Sequence, residues 1–468
     1  SAFARRPTAS ELVVQPLLMP LPPGESVLTV YDVANGGWRT LAQLPLRVLT
    51  PRGFEAVTAA PRLDLNVKAR VAEGGSDDAP PSERGTYTDL AGHGAFGAQF
   101  RRNEHEVALA LNAVGSTYQG EALRVGELGD EAPRVDLADY RVDWRRRGVA
   151  VGAGHLSHGN HPLLLSGFSS RGLSATVPLP IGMDMSLAAL NGTAIVGTDN
   201  LLGLAEADHR VYGVTLGKQV LPEGLGNLRV ELSYMYAKVQ ARTAFNTGEV
   251  PDAERSDGFG LRLLGQSASG RLRLDAALAR STYTNPADVQ LEQSGEIKRV
   301  TPETRTGHFV DLAYDLLQGS TVLSQAHPLQ LTFQWRHERI EPLYRSLGAS
   351  LATDVLADRF GVVAAMAGAQ FSLHHYRRED NLDDIATLLT TGDRSWEAAL
   401  ALPLPTWLGR GAPTSLWPSL TFGYRHMRQL ALNAPPTDAS GFAATHLPDQ
   451  LNTSYDAAAS WAGGLWNA

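Results

Sequence analysis

The stretch Leu228-Arg229-Val230-Glu231-Leu232-Ser233-Tyr234-Met235-Tyr236-Ala237 decides the fold. Leu228, Val230, Leu232, Tyr234 and Tyr236 alternate with Arg229, Glu231, Ser233, Met235 and Ala237. A period of two sends the two sets to opposite faces of a β-strand, whereas a helix would need a period of 3.6. The run is also long. Ordinary globular strands hold about 5–6 residues, and a strand that crosses a bilayer core needs about 9–11.

The pattern recurs outward from this stretch. Leu272, Leu274, Ala276 and Leu278 alternate with Arg271, Arg273 and Asp275. Val310, Leu312, Tyr314 and Leu316 alternate with Asp311, Ala313 and Asp315. Leu329, Leu331, Phe333 and Trp335 alternate with Gln330, Thr332, Gln334 and Arg336, and Leu420, Phe422 and Tyr424 with Thr421, Gly423 and Arg425. Trp396, Ala398, Leu400, Leu402 and Leu404 form a further set. Roughly 16 such runs follow residue 88, many of about 9–13 residues, the length of a membrane-crossing strand. The fold class predicted is all-β, a large antiparallel transmembrane barrel of about 16–18 strands. A soluble sandwich or solenoid is the competing reading.

In a barrel the charged set would line a wet lumen: Arg229, Glu231, Arg262, Arg271, Arg273, Asp275, Asp311, Asp315, Arg336, Glu338 and Arg425. In a soluble sheet it would face bulk water. The aromatics favour the barrel. Tyr234, Tyr236, Tyr314, Trp335, Trp396, Trp417 and Tyr424, with Tyr376 and Trp407, lie near run ends, where Trp and Tyr form interfacial girdles. Short Gly-containing turns (224–226, 266–270) alternate with long polar segments (240–256, 284–307, 377–394, 431–453), as two unlike barrel rims require.

Composition narrows the rest. The chain has 468 residues, no cysteine and a formal net charge of −8. Absence of Cys excludes disulfides, thiolate zinc sites and Cys nucleophiles. Mild acidity argues against a nucleic-acid partner. No apolar run reaches about 18 residues, which excludes a transmembrane helix and leaves a barrel open. Residues 1–25 read as a Pro-rich extended arm. Ser26–Val33, Gly37–Leu41, Pro45–Leu49 and the alternating Leu63–Val71, with an Asn35-Gly36 turn, predict a small β-sandwich over 26–71, Ig-like in architecture only. Residues 72–87 read as a linker, and 88–468 as the barrel. The opening Ser1-Ala2-Phe3 fits a mature chain whose export signal is gone.

Over residues 88–468 these runs resemble bacterial outer-membrane porin-like β-barrel proteins. The resemblance implies an outer-membrane location, a periplasmic N-terminal domain, an even strand count of 16 or 18, lipid as the surrounding partner, and no cofactor. It implies a channel or anchor that passes small hydrophilic solutes without chemistry. It also implies a terminal aromatic residue on the last strand. Trp466 stands near Ala468 but is not last, so the chain either departs from the pattern or continues beyond Ala468. The alternative is a structural or secretion component that docks a periplasmic or envelope protein through residues 1–71 by strand addition.

The densest polar segment is Gly154-His155-Leu156-Ser157-His158-Gly159-Asn160-His161-Pro162. His155-x-Ser157 resembles the His-Ser dyad of outer-membrane lipid hydrolases, with His155 as base and Ser157 as nucleophile. His155, His158 and His161 are also metal-ligand candidates if the segment curls. The third reading is a polar loop folded into the lumen. Glu379, Asp380, Asn381, Asp383 and Asp384 form an acidic loop with oxygen ligands for Ca²⁺, or simply a solvated one. Arg145-Arg146-Arg147 is a candidate rim contact for anionic headgroups. No phosphate-binding loop, dinucleotide fingerprint or His-Glu-x-x-His occurs.

Overall fold

The computed structural model describes residues 3–8, 11–15, 24–34, 37–48, 56–72, 84–193, 197–222, 224–240, 254–284, 302–321, 327–408, 417–435 and 447–461. Two hairpins come first. Strands β1 (Phe3–Thr8) and β2 (Glu11–Gln15) pair with each other, as do β3 (Gly24–Ala34) and β4 (Gly37–Val48). Ala34 stands opposite Gly37, and the turn expected at Asn35-Gly36 lies outside the described residues. The arm expected over 1–25 is therefore partly paired strand. The runs Gly37–Leu41 and Pro45–Leu49 merge into one strand. Each hairpin is its own two-stranded sheet, and no sandwich forms among the described residues.

The remaining strands form one sheet. They are β5 (Ala56–Arg70), β6 (Tyr87–Arg102), β7 (His105–Ser116), β8 (Val135–Arg146), β9 (Val149–His161), β10 (Leu165–Leu179), β11 (Met183–Asn191), β12 (Arg210–Gln219) and β13 (Gly226–Val239). They continue with β14 (Glu254–Ser267), β15 (Leu272–Thr284), β16 (Glu303–Ser320), β17 (Leu329–Ile340), β18 (Val355–Met366), β19 (Ala369–Glu379), β20 (Thr390–Pro403), β21 (Ser419–Asn433) and β22 (Asp449–Ser460). Each pairs antiparallel with its neighbour in sequence, in up-and-down barrel order. Their lengths run from 9 to 18 residues, the range that a bilayer demands rather than a soluble sandwich. No register is described between β5 and β22, and both are exposed along nearly their whole length.

The alternating run Leu63–Val71 belongs to this sheet. It lies in β5, which pairs along its length with β6, from Ala56 opposite Arg101 to Arg70 opposite Tyr87. The sheet thus begins at residue 56 rather than 88. Residues 73–83 of the expected linker lie outside the described residues, as does Trp466.

Registers sort the side chains into two faces. Glu231 is opposite Arg262, Asp275 opposite Asp311, Asp311 opposite Arg336 and Glu397 opposite Arg425. Tyr234, Phe259, Leu261, Leu278, Tyr314, Trp396 and Phe422 take the other face, where they are exposed. An exposed apolar face of this extent is stable only against something apolar.

Candidate functional site

The site is built where β9 and β10 leave the wall. β9 pairs with β8 only from Val149 to Gly154, and β10 pairs with β11 only from Gly172 to Leu179. Beyond those points His155–His161 and Leu165–Arg171 pair with each other and with no other strand of the wall, Leu165 alone bridging to Gly348 in the connection after β17. Gly154 permits the departure: its φ is 104°, and a Cβ there would lie 2.2 Å from the Tyr140 carbonyl oxygen. The freed hairpin lies on the charged face of the sheet. Its tip, Leu163, Leu164 and Leu165, is 0–3% exposed. It packs on Val211, Met235, Ala237, Ala277, Ala279, Phe309 and Ile340, the inner-face residues near the long-connection ends of β12, β13 and β15–β17. Burying each leucine is worth about 2 kcal/mol, enough together to hold a hairpin on a wall.

The connection 341–354 clamps the tip from above. Tyr344 Oη donates to the Leu163 carbonyl at 2.7 Å, Ser346 Oγ to the Leu164 carbonyl at 2.5 Å, and Ser166 N to the Gly348 carbonyl at 3.0 Å. Burial pushes the Tyr344 hydroxyl above its usual pKa, so it remains a donor. Residues 197–203 fill the place that the hairpin vacates. Gly197 N donates to the Leu137 carbonyl at 2.8 Å, and Tyr140 Oη to the Leu201 carbonyl at 2.5 Å. The fully buried Arg171 donates from Nη1 to the carbonyls of Gly197 (2.6 Å) and Asn200 (3.2 Å). Arg124 grips Asp199 with two bonds of 2.9 and 3.0 Å, which holds the Asp199 carboxyl below its usual range.

Along the same face runs a ladder of charge pairs. Arg229 binds Asp184 at 2.7 Å and Glu231 at 2.6 Å; Arg262 binds Asp275 at 2.7 Å; Arg273 binds Asp315 at 3.0 Å; Arg336 binds Glu338 at 2.9 Å; Arg425 binds Glu397 at 3.2 Å. Ten of the eleven residues expected to line a lumen thus share this face. Arg271 does not: it precedes β15 in the short turn, and its carbonyl accepts from Asp315 N. A cavity of ≈ 600 Å³ opens on this face over β17–β21. Two of its cations, Arg359 and Arg378, form no ion pair among the described residues, and Arg359 stands directly opposite Arg336. Like charges directly opposite destabilise a sheet, and here Glu338 and Asp311 offset Arg336 while Arg359 has no such pair among the described residues.

The hydrolytic and metal readings of His155–His161 fail on geometry. His155 Nδ1 accepts the Tyr140 N–H at 3.2 Å and is unavailable as the base, while Ser157 stands opposite Ser169. The histidines diverge. His155 meets Tyr140 on β8, His158 abuts Gly213 on β12, and His161 abuts Gly260 on β14 with Nε2 3.3 Å from the Leu261 carbonyl. No metal-ligating cluster occurs among the described residues. The acidic loop is spent on itself: Asp380 and Asn381 bond the backbone of 381–391, and Asp383 pairs with Arg305 at 3.3 Å. Arg147 pairs with Glu104 at the short-turn rim.

No protein-family model and no curated protein matches the sequence. Among solved structures, Pseudomonas aeruginosa OccK11 (OpdR) is similar at 11% identity and a TM-score of 0.38, covering 86% of this chain and 96% of that one. P. aeruginosa OccK2 (OpdF), solved in complex with glucuronate, gives 11% and 0.38 over 87% of this chain and 100% of that one. Acinetobacter baumannii OccAB2 gives 11% and 0.36 over 88% and 97%.

Of the expected girdle residues, Tyr234, Tyr236, Tyr314, Trp335, Trp396 and Tyr424 share the outer face by register. Trp417 precedes β21 and lies in no strand, and Trp407 lies in a short helix, Leu404–Leu408. Tyr376 is on the inner face, opposite Arg359 and Ser395, in the ≈ 600 Å³ cavity. Sequence reasoning missed Arg359, Arg378 and the clamp Tyr344–Gly348. The apolar triplet Leu163-Leu164-Leu165, which breaks a period of two, was the signal for the inturned tip.

Proposed function

We propose that this chain is an outer-membrane channel for small hydrophilic solutes, with β5 and β22 meeting to close the sheet around a lumen. The observation that carries the reading is the division of the sheet into an apolar outer face and a charge-paired inner face, with a hairpin folded onto the inner one. The hairpin and its clamp narrow the passage. The ladder supplies fixed charges along the rest of the wall. The unpaired Arg359 and Arg378 bias the passage towards anions. The pore moves solutes by diffusion and needs no cofactor. The test is planar-bilayer conductance of the purified chain, with reversal potentials under a salt gradient. Steady ohmic conductance with anion preference supports the channel; a chain that inserts and stays silent overturns it. The two N-terminal hairpins are the place for an envelope partner. A stoichiometric protein lost on deletion of residues 1–48 would support that docking.

A further inference from the structure

Three adjacent strands carry a graded grid on the outer face. From the short-turn end upward, the rows across β19, β20 and β21 read Phe371, Leu400, Phe422; then Leu373, Ala398, Tyr424; then His375, Trp396, His426; then Arg377, Arg394, Arg428. Aliphatic and aromatic side chains give way to stacked His375 and Trp396, whose ring centroids are 4.3 Å apart. The top row is three guanidinium groups directly opposite one another, all exposed. Such a row is self-repelling. Arg377 pairs with Glu379, and Arg428 pairs with Asp449 at 2.9 Å; Arg394 between them has no acidic partner among the described residues. Strands lie about 4.8 Å apart, so the row spans roughly 10 Å. Below it, an open groove of ≈ 400 Å³ is lined by Phe371, Leu400, Phe422, Tyr424 and Tyr455.

We propose that Arg377, Arg394 and Arg428 form a binding site for the phosphorylated headgroup of a lipid in the surrounding leaflet, with the apolar groove below taking an acyl chain. A lipid satisfies both halves at once: its phosphates neutralise the row, and its chain covers the aromatic face. A free anion would leave the groove empty. The inference rests on the outer face being the lipid-facing one.

The full chain in phosphatidylcholine nanodiscs is titrated with lipid A, a doubly phosphorylated glycolipid, and separately with inorganic phosphate. Retention and melting temperature are the readouts. Lipid A should bind and raise the melting temperature, and phosphate alone should not. Arg377→Gln/Arg394→Gln/Arg428→Gln should bind lipid A at least about tenfold more weakly, a change of ~1.4 kcal/mol. The single Arg394→Gln, which breaks no ion pair, should weaken it in the same direction. Wild-type affinity in both variants overturns the proposal, as does equal protection by inorganic phosphate. Conductance in pure phosphatidylcholine should be unchanged in the variants. A wild-type chain that binds lipid A yet never conducts counts against the channel alone. A conducting chain with no preference for lipid A counts against the headgroup site alone.

Discussion

The Tyr344 hydroxyl reaches 2.7 Å to the carbonyl of Leu163, joining two connections that lie 181 positions apart in the chain. The bond ties the tip of the inturned hairpin to the segment that covers it. Both partners are about 1% exposed, so no water replaces the bond if it is lost. Tyr344→Phe keeps the ring and removes the donor. It should cost about 1–2 kcal/mol and loosen the tip. Single-channel recordings should show more frequent switching between conductance levels than the wild type, and melting should shift down.

Two wall glycines make room for the same hairpin. A Cβ on Gly213 would lie 2.4 Å from Leu165 Cδ2, and one on Gly260 would lie 2.5 Å from His161 Nε2. Gly213→Val and Gly260→Val should push the hairpin off the wall, at a cost of about 1–3 kcal/mol each. Mean conductance should rise and melting temperature fall. Gly97, also on the inner face, has open space where a Cβ would go. Gly97→Ala should leave conductance unchanged. Equal effects at all three positions would sink the packing explanation.

Much of this was legible in residues, and the failures have physical causes. The Arg229–Glu231 and Arg262–Asp275 pairs follow from a period of two, because alternation fixes the face and adjacent registers bring opposite charges together. β5 was legible as a strand but misassigned. The Gly- and Pro-rich segment after it reads like a domain boundary, while in the fold it joins two neighbouring strands. The inward-folded reading of Gly154–Pro162 found the segment but not its form, because His155–His161 keeps strand conformation after it leaves the wall and folds in as a hairpin. Its seat was hidden too: Met235, Ala237, Ala277 and Ala279 sit among polar neighbours on the inner face, and only the fold shows that they are covered. Arg359 and Arg378 escaped notice because Asp358 and Arg377 put charge on the outer face of the same strands, which erases the alternation there.

Those two arginines carry the selectivity prediction. Neither forms an ion pair among the described residues, although Asp393 stands opposite Arg378 on the same wall, whereas Arg336 and Arg425 are paired. Arg359→Glu/Arg378→Glu reverses two wall charges, a net change of four units. The reversal potential under a salt gradient should move towards cation preference. The shift should shrink as salt rises from 0.1 to 1 M, because the screening length falls from about 10 to 3 Å. Arg425→Gln, which releases Glu397, should move it in the same direction and less far. An unchanged reversal potential in the double variant would show that solutes do not pass this wall.

The Arg124–Asp199 pair predicts an acid limit for the segment that fills the vacated wall. The bonds from Arg124 depress the Asp199 carboxyl. A group whose pKa is lower folded than unfolded stabilises the fold fully above its unfolded value, about 4 for Asp, and loses that contribution as pH falls through the folded value. The pair should therefore be intact at pH 5 and above and weaken below about 4. Asp199 is more than half exposed, so the effect on global melting is small. Hydrogen exchange at Gly197 N, which donates to Leu137, is the sharper readout. Corrected for the intrinsic pH dependence, protection there should decline as pH falls below about 4 in the wild type. In Asp199→Asn it should be lower at pH 6 and flat through the same range. Protection in Asp199→Asn equal to that of the wild type at pH 6 would mean that the segment is held by Arg171 and Tyr140 without the pair.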